Sequence, residues 1–154
     1  MEENKTIFEI LLVEDSPGYV RLMMETLKEN SVPSNLSVVM DGMEALAFLQ
    51  RKGDYIQAPR PDLILLDMNL PKMDGKEVLA EIKNDPDLKR IPVIILTTSS
   101  EDQDILKSYD MHVNCYITKP IDLDRFTAAV RSIADFWLTI VKLPPKELNP
   151  MTLY

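Results

Sequence analysis

The tightest constraint on the fold is Leu63-Ile64-Leu65-Leu66-Asp67, four apolar residues that run straight into an acid. Met68-Asn69-Leu70-Pro71 follows, and Asp74-Gly75 stands a few residues on. An unbroken apolar run of this length reads as a strand buried on both faces, the signature of a parallel sheet. Such a strand needs helices over both faces of its sheet, and it places Asp67 at its carboxyl end. In open α/β sheets that edge is where ligands and chemistry gather. Taken alone, Asp67 reads equally well as a turn residue, so the other strand ends decide.

The rest of the chain repeats the pattern. Ile7 to Val13 is a second, mostly apolar strand ending in Glu14-Asp15. Ser16 and Pro17 then suit the N-cap and first position of a helix. Val20, Met23, Met24 and Leu27 mark that helix's inward face at helical spacing. Leu36 to Met40 is a third strand, and Asp41-Gly42 turns into a helix with Ala45, Leu46 and Leu49 inward. Arg51 to Pro61 is a polar loop without an assignable chemical role. After Asp74-Gly75 comes a helix with Val78, Leu79 and Ile82 inward, stopped near Asp85-Pro86.

Ile91 to Leu96 is the next apolar strand and ends in Thr97-Thr98. Ser100 with Gln103 forms a capping box for a helix over Glu101 to Tyr109. Val113 to Thr118 is the last strand, followed by Lys119-Pro120; Asp122 caps a final helix with Phe126, Ala129, Val130 and Ile133 inward. Five β-α units in succession imply an α/β fold, a doubly wound five-stranded parallel sheet with right-handed crossovers and helices on both faces.

Parallel strands share one carboxyl rim. That rim receives Glu14, Asp15, Asp67, Thr97 and Lys119. At ~4 Å and an effective dielectric of ~20, each like-charge pair costs about 4 kcal/mol, and several would consume most of a domain's stability. A hard divalent cation removes the penalty, and carboxylate oxygens are what Mg²⁺ prefers. Lys119 adds one positive charge and the Thr97 hydroxyl can donate to a phosphoryl oxygen. Asp67 is a candidate nucleophile, since Asp forms acyl-phosphates and phosphoryl transfer needs mainly positioning and charge neutralisation.

The net charge of −8 repels phosphate backbones and anionic lipid, which disfavours nucleic acid and membrane surfaces as partners. The single cysteine, Cys115, cannot form an internal disulfide, which fits a reducing, cytoplasmic setting. No leader opens the chain, and no apolar run approaches the ~20 residues that span a bilayer. His112, the only histidine, reads as a loop or surface residue.

Glu14-Asp15, Asp67 with Pro71 and Asp74-Gly75, Thr97 and Lys119-Pro120 together resemble the receiver domain of two-component response regulators, over about Ile7 to Phe136. The resemblance implies a CheY-like, flavodoxin-like sheet of strand order 2-1-3-4-5. It implies that Asp67 accepts a phosphoryl group from a phosphohistidine of a sensor histidine kinase. Asp15, Asp67 and the backbone carbonyl of Asn69 would bind Mg²⁺ or Mn²⁺, with Glu14 acting through water. Lys119 would bridge to phosphorylated Asp67, the Lys119-Pro120 peptide would be cis, and Thr97 with Tyr116 would form the switch pair. The resemblance also implies a phosphoacceptor with slow self-catalysed phosphorylation and dephosphorylation rather than an enzyme. Thr98 and Cys115 depart from the commonest pattern, and Thr98 could crowd the site. Asn114 to Pro120 and Asp135 to Pro144 resemble the single-domain receivers paired with bacterial phytochrome kinases, which points to a phytochrome or similar sensor as donor.

Residues 1–143 are expected to form one receiver domain with an apolar helical extension, and 144–154 a flexible or interface-docked tail. Phe136, Trp137, Leu138, Ile140, Val141 and Leu143 leave almost no polar face. A helix covering its own domain needs only one apolar stripe, and a surplus marks an interface. A homodimer through the last strand, last helix and extension, centred on Phe136, Trp137, Ile140 and Val141, is therefore expected. With no output domain in the sequence, signalling would pass through protein contacts. Three rival readings stand beside this one. A phosphohydrolase of the haloacid dehalogenase type would carry a second Asp where Asn69 stands. A flavodoxin-like cofactor binder would need a first loop that cradles phosphate, which Glu14-Asp15 would repel. A phosphorylation-independent interaction module would not need the complete set of acids, Thr97 and Lys119.

Overall fold

The computed structural model describes residues 7–29, 33–98, 113 and 115–141, with the side chains of 137–141 excepted. Five strands alternate with helices: β1 (Phe8–Val13), α1 (Pro17–Glu29), β2 (Ser34–Val39), α2 (Gly42–Gln50), β3 (Leu63–Asp67), α3 (Gly75–Asn84), β4 (Val93–Thr97), β5 (Cys115–Thr118) and α4 (Leu123–Val141). All strand pairs are parallel, in the order β2-β1-β3-β4-β5. This is the expected sheet. The expected helix over Glu101 to Tyr109 lies outside the described residues.

Two cores form because side chains alternate across each strand. Leu11, Val13, Ile64, Leu66, Val93 and Ile95 pack against Ala45, Phe48 and Leu49 of α2 and Val78, Leu79 and Ile82 of α3. Ile10, Leu12, Leu63, Leu65, Ile94 and Leu96 face the other way, onto Met23 and Leu27 of α1 and Phe126 and Val130 of α4. Every residue of β3 is buried, as an inner strand covered on both faces requires.

The helix starts follow the expected chemistry. Asp122 Oδ1 accepts from the Arg125 amide at 3.1 Å, and Ser16 Oγ from the Tyr19 amide at 3.4 Å. Asp41 caps α2, and Asp74 with Glu77 makes a reciprocal capping box on α3.

Several inward positions differ from the sequence reading. Met24 is 51% exposed, while Thr26 is buried in its place. Burial there is possible because the Thr26 hydroxyl donates to the Leu22 carbonyl at 2.7 Å. Leu46 is only partly buried, and Phe48 fills the core beside Leu49. β2 runs over Ser34–Val39, leaving Met40 exposed. β4 begins at Val93, because Pro92 has no amide to give to a ladder.

The Arg51 to Pro61 loop has a structural role after all. Arg51 closes α2 in the left-handed region (φ 55°), and its Nε donates to the Ala58 carbonyl at 2.9 Å. A short 3₁₀ turn, Gly53–Tyr55, then lays the Tyr55 ring 5.4 Å from that of Phe48. The Tyr55 hydroxyl donates to Glu44 at 3.1 Å. The loop is a lid over one end of the first core.

Candidate functional site: an acid cluster held by one lysine

The carboxyl rim carries the chemistry. Glu14 and Asp15 leave β1, Asp67 ends β3, Thr97 ends β4, and Lys119 follows β5. Glu14, Asp15 and Asp67 each offer a carboxylate oxygen within 4.8 Å of the others. Glu14 and Asp67 are buried and Asp15 is exposed. Main-chain amides hold the two buried acids: Ser16 N–H donates to Glu14 Oε2 at 3.1 Å, and Asn69 N–H donates to Asp67 Oδ1 at 3.0 Å.

Lys119 reaches into the cluster with its side chain only 7% exposed. Its Nζ lies 2.8 Å from Glu14 Oε1 and 3.3 Å from Asp67 Oδ2. The Lys119 amide also donates to the Thr97 carbonyl at 2.7 Å, which locks β5 beside β4 at the rim, and the Lys119-Pro120 peptide is cis, as expected. Glu14, expected to assist a metal ion through water, also binds Lys119 directly, and the one ammonium lies between two buried carboxylates.

The titration directions follow from this packing. Burial pushes the Glu14 carboxyl up, and the neighbouring Asp67 charge adds to the rise, while the bond from Lys119 opposes it. Burial alone would lower the Lys119 ammonium, but Glu14 and Asp67 outweigh it and hold it above the ordinary lysine value. A carboxyl raised in the fold costs stability as pH climbs through its titration; a raised ammonium contributes stability until pH climbs past its own. Three carboxyl groups around one ammonium make a site that favours a further cation. Its hard oxygen donors fit a divalent ion such as Mg²⁺ or Mn²⁺.

Thr97 is fully buried. Its register partner is Thr118, and Ile95 is that of Tyr116, so Thr97 and Tyr116 lie on the same face of the sheet. Burial raises the Tyr116 phenol. Thr98, which could crowd the site, is exposed and accepts from Asn69 Nδ2 at 3.2 Å; the two make a polar bridge beside Asp67. Of the expected dimer residues, Phe136 is 67% exposed, and the side chains of Trp137, Ile140 and Val141 lie outside the described residues. Sequence reasoning missed Tyr19, whose ring centroid lies 4.4 Å from Lys119 Nζ. The available signal was an aromatic in the first turn of the helix that follows Glu14-Asp15.

A doubly wound parallel sheet with acids and a lysine on its carboxyl rim defines a phosphoryl-handling α/β domain. The chain belongs to the response regulator receiver domain family, whose model matches residues 10–131. It is therefore a signalling phosphoacceptor of two-component type. It is 55% identical over 135 residues to response regulator Rcp1 of Synechocystis sp., covering 88% of this chain and 92% of that protein. It resembles the crystal structure of the phosphorylated cyanobacterial phytochrome response regulator RcpA, with a TM-score of 0.73, 54% identity and coverage of 90% of this chain and 99% of that one. The Mn²⁺-bound form of Rcp1 matches with a TM-score of 0.72 and 54% identity, covering 89% and 99%. At 39% identity, the bacteriophytochrome response regulator RtBRR matches with a TM-score of 0.76, covering 82% and 78%.

Proposed function

We propose that Asp67 takes a phosphoryl group from the phosphohistidine of a sensor histidine kinase, a phytochrome or close analogue. The observation that carries this reading is Lys119 Nζ between Glu14 Oε1 and Asp67 Oδ2, at 2.8 and 3.3 Å. A carboxylate so placed is buried and oriented, and a positive charge stands where a phosphoryl oxygen would arrive. The similarity to Rcp1, RcpA and RtBRR supports the choice of donor.

Asp15, Asp67 and the Asn69 carbonyl would hold Mg²⁺, with Glu14 behind them. When bound, the ion supplies charge neutralisation at the transferring group. The chain's own residues do the rest. The Asn69 amide orients Asp67, the Ser16 amide fixes Glu14, and Lys119 bridges the two. Phosphorylation then draws Thr97 toward the new group, and Tyr116 follows. Self-catalysed phosphorylation and its reversal are slow. Asn69 stands where a haloacid dehalogenase hydrolase needs its acid, so turnover of a phosphomonoester is not expected.

Residues 1–143 act as one cytoplasmic receiver unit, 144–154 as a tail, and output passes through protein contacts. Intact mass after acetyl phosphate and Mg²⁺ tests the phosphoacceptor reading: the expected result is a gain of one phosphoryl group. A second measurement tests the cation. Mg²⁺ at about 100 times its dissociation constant should stabilise the fold by about 2.7 kcal/mol. Thermal unfolding should therefore shift upward, EDTA should reverse the shift, and Asp15→Asn should abolish it.

The receiver is a homodimer through β5, α4 and the extension, with Phe136, Trp137, Ile140 and Val141 in the interface. The exposed Phe136 ring supports this reading. Sedimentation equilibrium should give a dimer that Phe136→Glu dissociates. A monomer at tens of micromolar, with and without a phosphoryl analogue, would remove the assignment.

A further inference from the structure

We propose that Tyr19 is a positioning residue for Lys119, setting the rate at which Asp67 is phosphorylated; this rests on the phosphoacceptor reading above. An ammonium carries three N–H donors. In this site one points to Glu14 Oε1 at 2.8 Å and one to Asp67 Oδ2 at 3.3 Å. The remaining side of Nζ faces the Tyr19 ring, whose centroid is 4.4 Å away. That distance is well inside the ~6 Å range in which an aromatic face attracts a cation.

Three partners thus close around one nitrogen, which explains why so long and charged a side chain is only 7% exposed. Free lysine tips are strongly hydrated and carry large rotamer entropy. Without the ring, water would take the third donor and the ammonium could swing out along its flexible stem. With it, the charge stays between the two carboxylates and points where the phosphoryl oxygens arrive.

Tyr19 is itself fixed. It lies in the first turn of α1, which begins at Pro17, and its amide donates to Ser16 Oγ at 3.4 Å. The helix start that follows Glu14-Asp15 therefore delivers two things to the rim at once, the acids and the cover over their counter-ion.

In the test reaction an Asp67 carboxylate oxygen forms a bond to the phosphorus of acetyl phosphate. The bond from phosphorus to the acetyl oxygen breaks, and acetate leaves with the electron pair. Lys119 gains and loses no proton. Its contribution is charge and position, which is what Tyr19 would tune.

The experiment compares Tyr19→Phe and Tyr19→Leu in the wild-type and Lys119→Met backgrounds, following phosphorylation by acetyl phosphate at saturating Mg²⁺. Phenylalanine keeps the ring face and leucine keeps only the bulk. The expected result is a rate within about twofold of the parent for Tyr19→Phe. Tyr19→Leu should lose about tenfold, in the maximal rate and not in the Mg²⁺ dissociation constant, a loss in line with a partly desolvated cation–π contact. In the Lys119→Met background Tyr19→Leu should change nothing further, the non-additivity of residues acting through one another. A Tyr19→Leu rate equal to the parent, or an equal loss in both backgrounds, overturns the inference. A parent that gains no phosphoryl group overturns the phosphoacceptor reading instead, so the two failures are distinct.

Discussion

Asp67→Asn is expected to leave a folded protein that gains no phosphoryl group from acetyl phosphate. The amide is nearly isosteric with the carboxylate, so the Asn69 N–H can still donate to the side-chain oxygen that it meets at 3.0 Å in the parent. What vanishes is the nucleophile, and losses of about 10⁴-fold or more follow from deleting such a group. Stability should move the other way. Asp67 is one cause of the raised Glu14 carboxyl, and removing it leaves Lys119 to Glu14 alone. In metal-free buffer the variant should melt no lower than the parent, and it should lose the rise that Mg²⁺ produces. Intact mass and thermal unfolding check the two halves separately. Phosphoryl gain by the variant would place the acceptor elsewhere.

Gly75→Ala is expected to be a strongly damaging one-carbon change beside the site. A Cβ there would lie 2.6 Å from Met68 Cα and 2.8 Å from the Asp67 carbonyl oxygen. Both are main-chain atoms, so no side chain can swing away. The start of α3 is held by its Asp74–Glu77 capping box, and β3 is buried on both sides. Either the helix or the loop after Asp67 must shift. Overpacking of this kind costs about 1–3 kcal/mol, and at this chain length each kcal/mol lowers the melting temperature by about 2–4 °C. The same shift would displace the Asn69 amide from Asp67 and slow phosphorylation. Gly18→Ala is the control. Its nearest neighbour would be Ser16 Oγ at 3.8 Å, and alanine in a helix should be neutral or stabilising there.

Much of the fold was legible because the inner strands are buried on both faces. Leu63 to Leu66 and Val93 to Leu96 leave no polar alternation, and only a parallel sheet with two helical layers accommodates them. The rim was legible for a topological reason: parallel strands bring their ends together whatever the loops do. Helix phase was harder to read. Met24 and Thr26 exchanged places relative to expectation because a hydroxyl can satisfy itself on its own helix, which no hydropathy pattern records. The Arg51 to Pro61 lid depends on Tyr55 meeting Phe48, a tertiary event. The Tyr19 ring over Lys119 joins two ends of the chain, and neither residue's local sequence announces the other.

Glu14 and Lys119 are 105 positions apart, and between them every intervening strand must be laid down in register. A nascent chain halted before β5 would hold its acids with no lysine to quiet them. In the phosphoacceptor reading, a chain that stops before β5 is therefore expected to take up phosphoryl groups poorly.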